Sequence, residues 1–194
     1  MRTRTQLVAA LAALTLTAIV LPAPSAALPS GWSAPFRLSE AGLGVQDLQV
    51  AALPGGGALA VWIGDSPGAT SDVHFSVFSP ESGWSQPAKA TSGSSQGRFL
   101  SLCLNRAGTG AAVWLEFGTP SLATASFYRP GTGFTPPQVL NIDPMFGGGS
   151  PTCVADEAGV VTAMWTEFNG SAYGKAVSRG TSSSAIWSVP EYLD

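Results

Sequence analysis

Two acidic residues stand at the same distance after a tryptophan in two parts of the chain. The segments Trp114-Leu115-Glu116-Phe117 and Trp165-Thr166-Glu167-Phe168 share the pattern Trp-x-Glu-Phe. Residues two apart on a strand point to the same face, so each indole ring would stand beside a carboxylate. An indole face packs on sugar C–H groups, and a carboxylate accepts hydrogen bonds from hydroxyl groups. The candidate ligand-binding residues are therefore Trp114, Glu116, Trp165 and Glu167. The alternative is that the tryptophans pack between sheets and the glutamates are solvated charges at strand ends.

No catalytic constellation accompanies these pairs. The sequence contains one histidine, His74, so it has no histidine-based metal cluster. It contains no CxxC, HExxH, phosphate-loop or GxSxG motif. Glu116 and Glu167 occupy equivalent points of different segments, whereas glycosidic cleavage needs two carboxyl groups opposed across one site. We therefore predict no catalytic residues, no metal and no cofactor.

The beginning of the chain has the pattern of an export signal. Arg2 and Arg4 precede an uncharged apolar stretch, Leu7 to Leu21, which is followed by Pro22 and a run of small residues. About fifteen apolar residues are too few to span a bilayer as a helix, which favours a cleaved signal peptide over a membrane anchor. We predict cleavage after Ala27 and an extracellular or periplasmic location.

The mature chain is acidic and poor in charge. Removing residues 1–27 takes two arginines from nine Lys+Arg and leaves seven against 12 Asp+Glu, a net charge of 7 − 12 = −5. Nucleic acid and anionic membranes bind clustered positive charge, so neither is an expected partner. The 23 glycines and 15 prolines favour many turns, and the 45% apolar residues suffice for a core.

Two cysteines, Cys103 and Cys153, lie 153 − 103 = 50 residues apart in the chain. An even number of cysteines in an exported chain favours a disulfide. A disulfide needs Cα atoms within about 7 Å, which equivalent positions of neighbouring sheets reach only on the innermost strands. The alternative is two separate buried thiols.

Two motifs recur along the chain with a common period. An aromatic residue with a hydroxyl residue beside it and a proline three positions later appears at Trp32, Trp84, Phe134 and Trp187, spaced 52, 50 and 53. A second motif ends in Trp62, Trp114 and Trp165, spaced 52 and 51, with alanine two residues earlier and glycine six residues earlier. Two motifs in one register over three periods establish an internal repeat of about fifty residues.

Each repeat is predicted to form four short strands. In the first repeat these are Leu48–Leu53, Ala58–Ile63, Asp72–Ser79 and a strand that starts near Trp84, separated by a turn at 54–57 and a loop at 64–71. Asn105 and Asp156 are expected to cap the corresponding turn in the second and third repeats. The recurrent tryptophans and alanines are expected to pack between sheets.

The predicted fold is all-β, with three four-stranded antiparallel repeats that form blades of a partial or open β-propeller. The alternatives are an all-β solenoid or sandwich. The domains are a signal peptide at 1–27 and a repeat domain at 28–194, with repeats at about 40–91, 92–141 and 142–194 and an extra strand at 31–39. Three blades are fewer than a closed ring requires, so unpaired edges favour a homo-oligomer, for which six blades in a dimer are the simplest closure.

At these residues the chain resembles secreted bacterial β-propeller repeat proteins, with sialidase-like or kelch-like blades that carry GW-S-x-P and G-x-x-x-A-V-W repeats. The Asp-box of sialidases is not reproduced, and the five arginines after residue 27 do not recur at repeat spacing. The resemblance implies the fold and little about activity. We expect a secreted, non-catalytic interaction module that binds a glycan or an extracellular protein. The alternative is a degenerate or truncated sialidase-like, glycan-processing propeller.

Overall fold

The computed structural model describes residues 34–66, 70–91, 96–145 and 147–193. Every element below lies in one compact unit, Arg37–Asp194. The first sheet contains five strands, which are β1 (Gly44–Leu53), β2 (Gly57–Ser66), β3 (Thr70–Ser79), β4 (Gly83–Trp84) and β5 (Ala88–Lys89). A short 3-10 turn at Pro54–Gly56 joins β1 to β2.

The second and third sheets repeat this arrangement. The second sheet contains β6 (Gly97–Leu104), β7 (Gly110–Glu116), β8 (Leu122–Arg129), β9 (Gly133–Phe134) and β10 (Gln138–Val139). The third contains β11 (Gly148–Ala155), β12 (Val160–Phe168), β13 (Tyr173–Thr181), β14 (Ile186–Trp187) and β15 (Glu191–Leu193). All pairings within the sheets are antiparallel, and successive long strands are neighbours. The predicted fold of three antiparallel four-stranded repeats is confirmed.

Proline divides the fourth strand of every sheet. In the first sheet, β4 and β5 both pair with β3, and Pro87 lies between them. Proline has no N–H to donate to a strand ladder, so the pairing stops there and resumes after it. The predicted fourth strand is thus two short strands. The longer strands also extend further than predicted, because Gly64–Ser66 and Thr70–Ser71 continue the β2–β3 pairing into the predicted loop.

The hydroxyl residue beside each recurrent aromatic has a structural role. Ser85 Oγ accepts a hydrogen bond from Val77 N at 3.1 Å, and Ser76 Oγ donates to Ser85 O at 2.9 Å. Equivalent bonds join Ser126 to Thr135 and Ser178 to Ser188. The motif therefore holds the divided fourth strand against the third strand.

Asn105 and Asp156 cap the turn between the first two strands of their sheets, as predicted. Thr109 N donates to Asn105 Oδ1 at 3.0 Å, and Val160 N donates to Asp156 Oδ1 at 2.9 Å. Gly108 in that turn has φ of +77°, a conformation that favours glycine.

Two apolar cores lie between the sheets. One joins the first and second sheets and contains Leu59, Val61, Trp114 and Tyr128. The other joins the second and third sheets and contains Val113, Phe127, Val161 and Trp165. The large aromatic residues meet small ones such as Ala112 and Ala163, as the repeat predicted. Stability therefore depends on packing between neighbouring sheets as well as on pairing within each sheet.

The outer face of the third sheet differs from its counterparts. At five positions that face the following sheet, the first sheet has Leu59, Val61, Val73, Phe75 and Val77, and the second has Ala111, Val113, Ala123, Ala125 and Phe127. The third sheet has Thr162, Met164, Lys175, Val177 and Arg179 there. Three of these five are polar or charged, and both cations are exposed. This face lacks the continuous apolar surface that the other two sheets use for packing against their neighbours.

Parts of the predicted organisation lie outside the described residues. These are the signal peptide at 1–27 and the first three residues of the extra strand at 31–39. The described remainder of that strand, 34–39, is not in a strand, which corrects the prediction. In the described part of the chain, no helix has the length and apolarity needed to cross a membrane.

Candidate functional site

The antiparallel order gives each sheet two distinct ends. We call the end that carries the turns at 54–56, 80–82 and their repeats the turn end. We call the opposite end the loop end, since it carries the β2–β3 type loops and the connections between sheets. The inner strands β1, β6 and β11 start at the loop end, and residues from different sheets approach one another there.

The structure does not support Trp114 and Trp165 as sugar-stacking residues. Trp114 is 0% exposed and Trp165 1%, because each indole packs in the core against the preceding sheet. A fully covered ring offers no face to a ligand. The prediction that Trp114, Glu116, Trp165 and Glu167 form ligand-binding pairs is corrected on this ground, and the packing alternative explains the tryptophans.

The glutamates of these pairs accept hydrogen bonds from the buried indoles. Trp114 Nε1 donates to Glu116 Oε2 at 3.2 Å, and Trp165 Nε1 donates to Glu167 Oε2 at 2.6 Å. Glu167 is 0% exposed and also accepts from Ile142 N at 3.1 Å and Asp143 N at 3.0 Å. It therefore ties the connection between the second and third sheets to β12. The prediction that each tryptophan and its glutamate lie on the same strand face is correct. In the structure, however, the glutamates bind buried indole N–H groups.

The first sheet replaces this pair with a histidine. Gly64 stands where the other repeats have glutamate, and a Cβ there would lie 2.9 Å from His74 Cδ2. The His74 ring stacks on Trp62 with centroids 5.9 Å apart, and both residues are buried. Burial lowers the pKa of His74 from its usual value, while the nearby Asp72 carboxylate acts in the opposite direction. His74 is thus a packing residue, as the lack of a histidine constellation suggested.

Cys103 and Cys153 form a disulfide, with Cα atoms 5.8 Å apart. Cys103 lies on β6 and Cys153 on β11, the inner strands of neighbouring sheets. Both residues lie at the core between the second and third sheets. Of the two alternatives left open by the sequence, the structure therefore has the bonded one, because the inner strands approach closely enough.

A repeated bulge distinguishes the inner strands at the loop end. The register shifts between Gln46 and Gln49, between Arg98 and Ser101, and between Gly149 and Thr152. The first bulge residue in each case has a positive φ, which is 49° at Asp47, 55° at Phe99 and 42° at Ser150. Non-glycine residues adopt this conformation at a cost, and such strain concentrates at functional sites. The three positions are spaced 52 and 51, but they carry three different residue types, so no sequence motif marked them.

A polar group surrounds the bulges of the first two sheets. Asp65 Oδ1 accepts a hydrogen bond from Ser71 Oγ at 2.6 Å and lies 3.6 Å from Arg98 Nη1, while Asp65 Oδ2 accepts from Gln46 Nε2. Asp47 Oδ2 accepts from Phe99 N at 2.7 Å and so joins the two inner strands. We call Gln46, Asp47, Asp65, Arg98 and Phe99 the bulge cluster.

The bulge cluster combines planar polar groups with an open aromatic ring. Phe99 is 55% exposed, and the side chains of Asp65 and Arg98 are about one third exposed. Amide and guanidinium groups donate hydrogen bonds to hydroxyl or carboxylate oxygens, and carboxylate oxygens accept hydrogen bonds from hydroxyl groups. Among the residues the structure describes, no group of three His, Cys, Asp or Glu side chains is placed to hold a metal ion. The arrangement is suited to binding a small polar ligand with an apolar face.

The fold of the chain was compared with known proteins. No protein-family model matches the chain, and no curated protein does. Among solved structures, the Hadza microbial sialidase Hz136 superposes with a TM-score of 0.51 at 11% identity, over 74% of this chain and 36% of the sialidase. An endo-arabinase from Bacteroides thetaiotaomicron VPI-5482 superposes with a TM-score of 0.45 at 16% identity, over 77% of this chain and 63% of that one.

The sheets are propeller blades. This is what the likeness to the sialidase shows, and at 11% identity it concerns the fold alone. The chain spans about a third of the length of the sialidase. No ring closes among residues 34–66, 70–91, 96–145 and 147–193, so these blades form an open stack.

Proposed function

We propose that the protein is an exported, non-catalytic carbohydrate-binding module, whose ligand contacts lie at the bulge cluster. The observation that carries this proposal is that the exposed Phe99 directly follows Arg98 in the chain, and that Arg98 and Gln46 both contact Asp65. Phe99 and Asp47 are held by backbone bulges and by a hydrogen bond between neighbouring inner strands. Because the backbone already holds these residues in place, they lose little conformational entropy when a ligand binds.

Sugar chemistry fits this set of side chains. One face of a pyranose ring presents C–H groups, which carry partial positive charge and pack on the electron-rich face of an aromatic ring. The hydroxyl groups at the rim of the sugar both donate and accept hydrogen bonds. Asp65 supplies acceptors, Arg98 supplies donors, and the Gln46 amide supplies both.

Export is part of the proposal and rests on two observations. The charged, apolar and small-residue pattern of residues 1–27 is that of a signal peptide. The disulfide between Cys103 and Cys153 suits an oxidising compartment. N-terminal sequencing of protein recovered from the culture medium or periplasm is expected to begin near Leu28, and a sequence beginning at Met1 would contradict it.

Binding is tested with the purified protein on a glycan array, followed by calorimetric titration of the best ligand. Phe99→Ala is expected to weaken binding about three- to tenfold, the range for one aromatic contact. Ile186→Ala is the matched control, because Ile186 is also an exposed apolar residue but lies at the turn end. Equal effects of the two substitutions, or no binding to any glycan, would refute the proposal.

A second candidate is a degenerate or truncated glycan-processing propeller. The fold shared with the sialidase supports it, as do the two carboxylates Asp47 and Asp65 in the bulge cluster. Hydrolysis of a fluorogenic sialoside that Asp65→Asn abolishes would favour this candidate. Glycan binding without turnover would favour the non-catalytic module.

A further inference from the structure

A cleft lies at the turn end between the first and second sheets, on the opposite end from the bulge cluster. Its volume is about 460 Å³, within the range of small-molecule sites. The turns of the first sheet supply most of its wall, and Ala107 and Pro130 of the second sheet complete it. Its lining includes Leu53, Pro54, Val77, Pro80, Glu81 and Ala107.

The corresponding junction between the second and third sheets is bridged by polar contacts. There Asn105 Nδ2 donates to Asp156 O at 3.2 Å across the junction, and Arg106 Nε lies 3.4 Å from Glu157 Oε1. The first sheet has Leu53 and Pro54 at the positions of Asn105 and Arg106, and neither side chain can make these bonds. The cleft is therefore present at the junction where Leu53 and Pro54 replace the bridging residues of the repeat.

The wall of the cleft has a definite chemistry. Three proline rings and the half-buried Val77 and Leu53 give it apolar surfaces. Proline C–H groups beside the ring nitrogen carry partial positive charge and pack on the electron-rich face of an aromatic ring. Tight packing holds two of these prolines in place, because a Cβ at Gly108 would lie 2.9 Å from Pro54 Cδ and 3.2 Å from Pro130 Cγ.

One charge marks the rim of the cleft. Glu81 is the single charged side chain among the described residues that line it, and Glu81 is exposed. The nearby Arg106 forms its ion pair with Glu157 on the side of the third sheet. A ligand in the cleft therefore meets an apolar wall with a carboxylate at its edge, which favours an aromatic body that carries a positive charge.

We propose that this cleft is a binding site for a small aromatic amine. The ring lies among Pro54, Pro80 and Val77, and the ammonium group pairs with Glu81. This site is separate from the carbohydrate site proposed at the loop end, so either proposal can fail without the other.

The test uses three probes that share an indole ring, namely tryptamine, indole and indole-3-acetate, titrated into the purified protein by calorimetry. Tryptamine is expected to bind with a dissociation constant of about 1 mM or lower, as efficient small ligands do. Indole should bind more weakly and indole-3-acetate most weakly. Glu81→Gln should weaken tryptamine up to about fivefold, the range for an exposed ion pair, and remove its preference over indole-3-acetate.

Matched substitutions separate the cleft from other surfaces. Ala107→Leu narrows the cleft and should weaken tryptamine at least about tenfold, whereas Ala158→Leu changes the equivalent exposed position of the third sheet and should not. Unchanged melting of both variants shows that folding is retained. Failure of tryptamine to bind at about 10 mM, equal effects of the two leucine variants, or a preference for indole-3-acetate would overturn the proposal.

Discussion

The buried carboxylate of Glu167 gives the most discriminating test of how the sheets are held together. Its two oxygens accept three hydrogen bonds, from Trp165 Nε1, Ile142 N and Asp143 N. In Glu167→Gln, one oxygen becomes an NH₂ group that faces a donor, so at least one of the three bonds is lost and the remaining ones no longer go to a charged acceptor. Hydrogen bonds to a charged group contribute about 1.5–3 kcal/mol each, so the expected loss in the free energy of unfolding is about 2–4 kcal/mol.

Glu116→Gln is the matched control for this prediction. Glu116 occupies the equivalent position of the second sheet and accepts from Trp114 Nε1 at 3.2 Å and from Gln96 N, but it is half-buried. Water can replace lost partners there, so the expected loss is only about 1 kcal/mol. Urea unfolding followed by tryptophan fluorescence measures both variants, and Glu167→Gln should lower the midpoint by about 1–2 M. Equal losses for the two variants, or a loss below about 0.5 kcal/mol for Glu167→Gln, would refute the reasoning.

Three further predictions concern the cores, the disulfide and pH. Trp114→Ala empties a fully buried aromatic site and should cost about 3–5 kcal/mol in urea unfolding, and unchanged stability would contradict its role between sheets. Reduction of the Cys103–Cys153 bond, which closes a loop of 50 residues, should cost about 2–4 kcal/mol, and an equal midpoint with and without reductant would contradict this. Since burial lowers the pKa of His74, the unfolded chain binds a proton more readily than the folded chain, and stability should fall as pH drops below about 6.5. In His74→Gln, the free energy of unfolding should depend less on pH between about pH 5.5 and 7. An unchanged pH dependence in the variant would show that other groups cause it.

The repeat and its strands could be predicted from the sequence because they depend on local chemistry. Alternating apolar residues, glycine at turns, and proline within the fourth strand act over a few residues. The caps at Asn105 and Asp156 act over four residues and were predicted for the same reason. The hydroxyl partners Ser76, Ser126 and Ser178 recur at a regular spacing, and alignment of the third strands would have found them.

The candidate site could not be predicted, because it brings together residues from separate strands and sheets. Gln46, Asp65 and Arg98 meet only when the inner strands of two sheets lie side by side. The bulges at Asp47, Phe99 and Ser150 share a conformation but no residue type, so repeat alignment does not reveal them.

The sequence by itself determined the period, the strand order and the side-by-side geometry of Trp and Glu, since two residues along a strand always share a face. Only the tertiary structure decided which face that was. A neighbouring sheet covers Trp114 and Trp165, and their carboxylate partners therefore serve buried indoles instead of a ligand. Burial depends on what packs against a surface, and the packing partner of each tryptophan lies about fifty residues away in the chain.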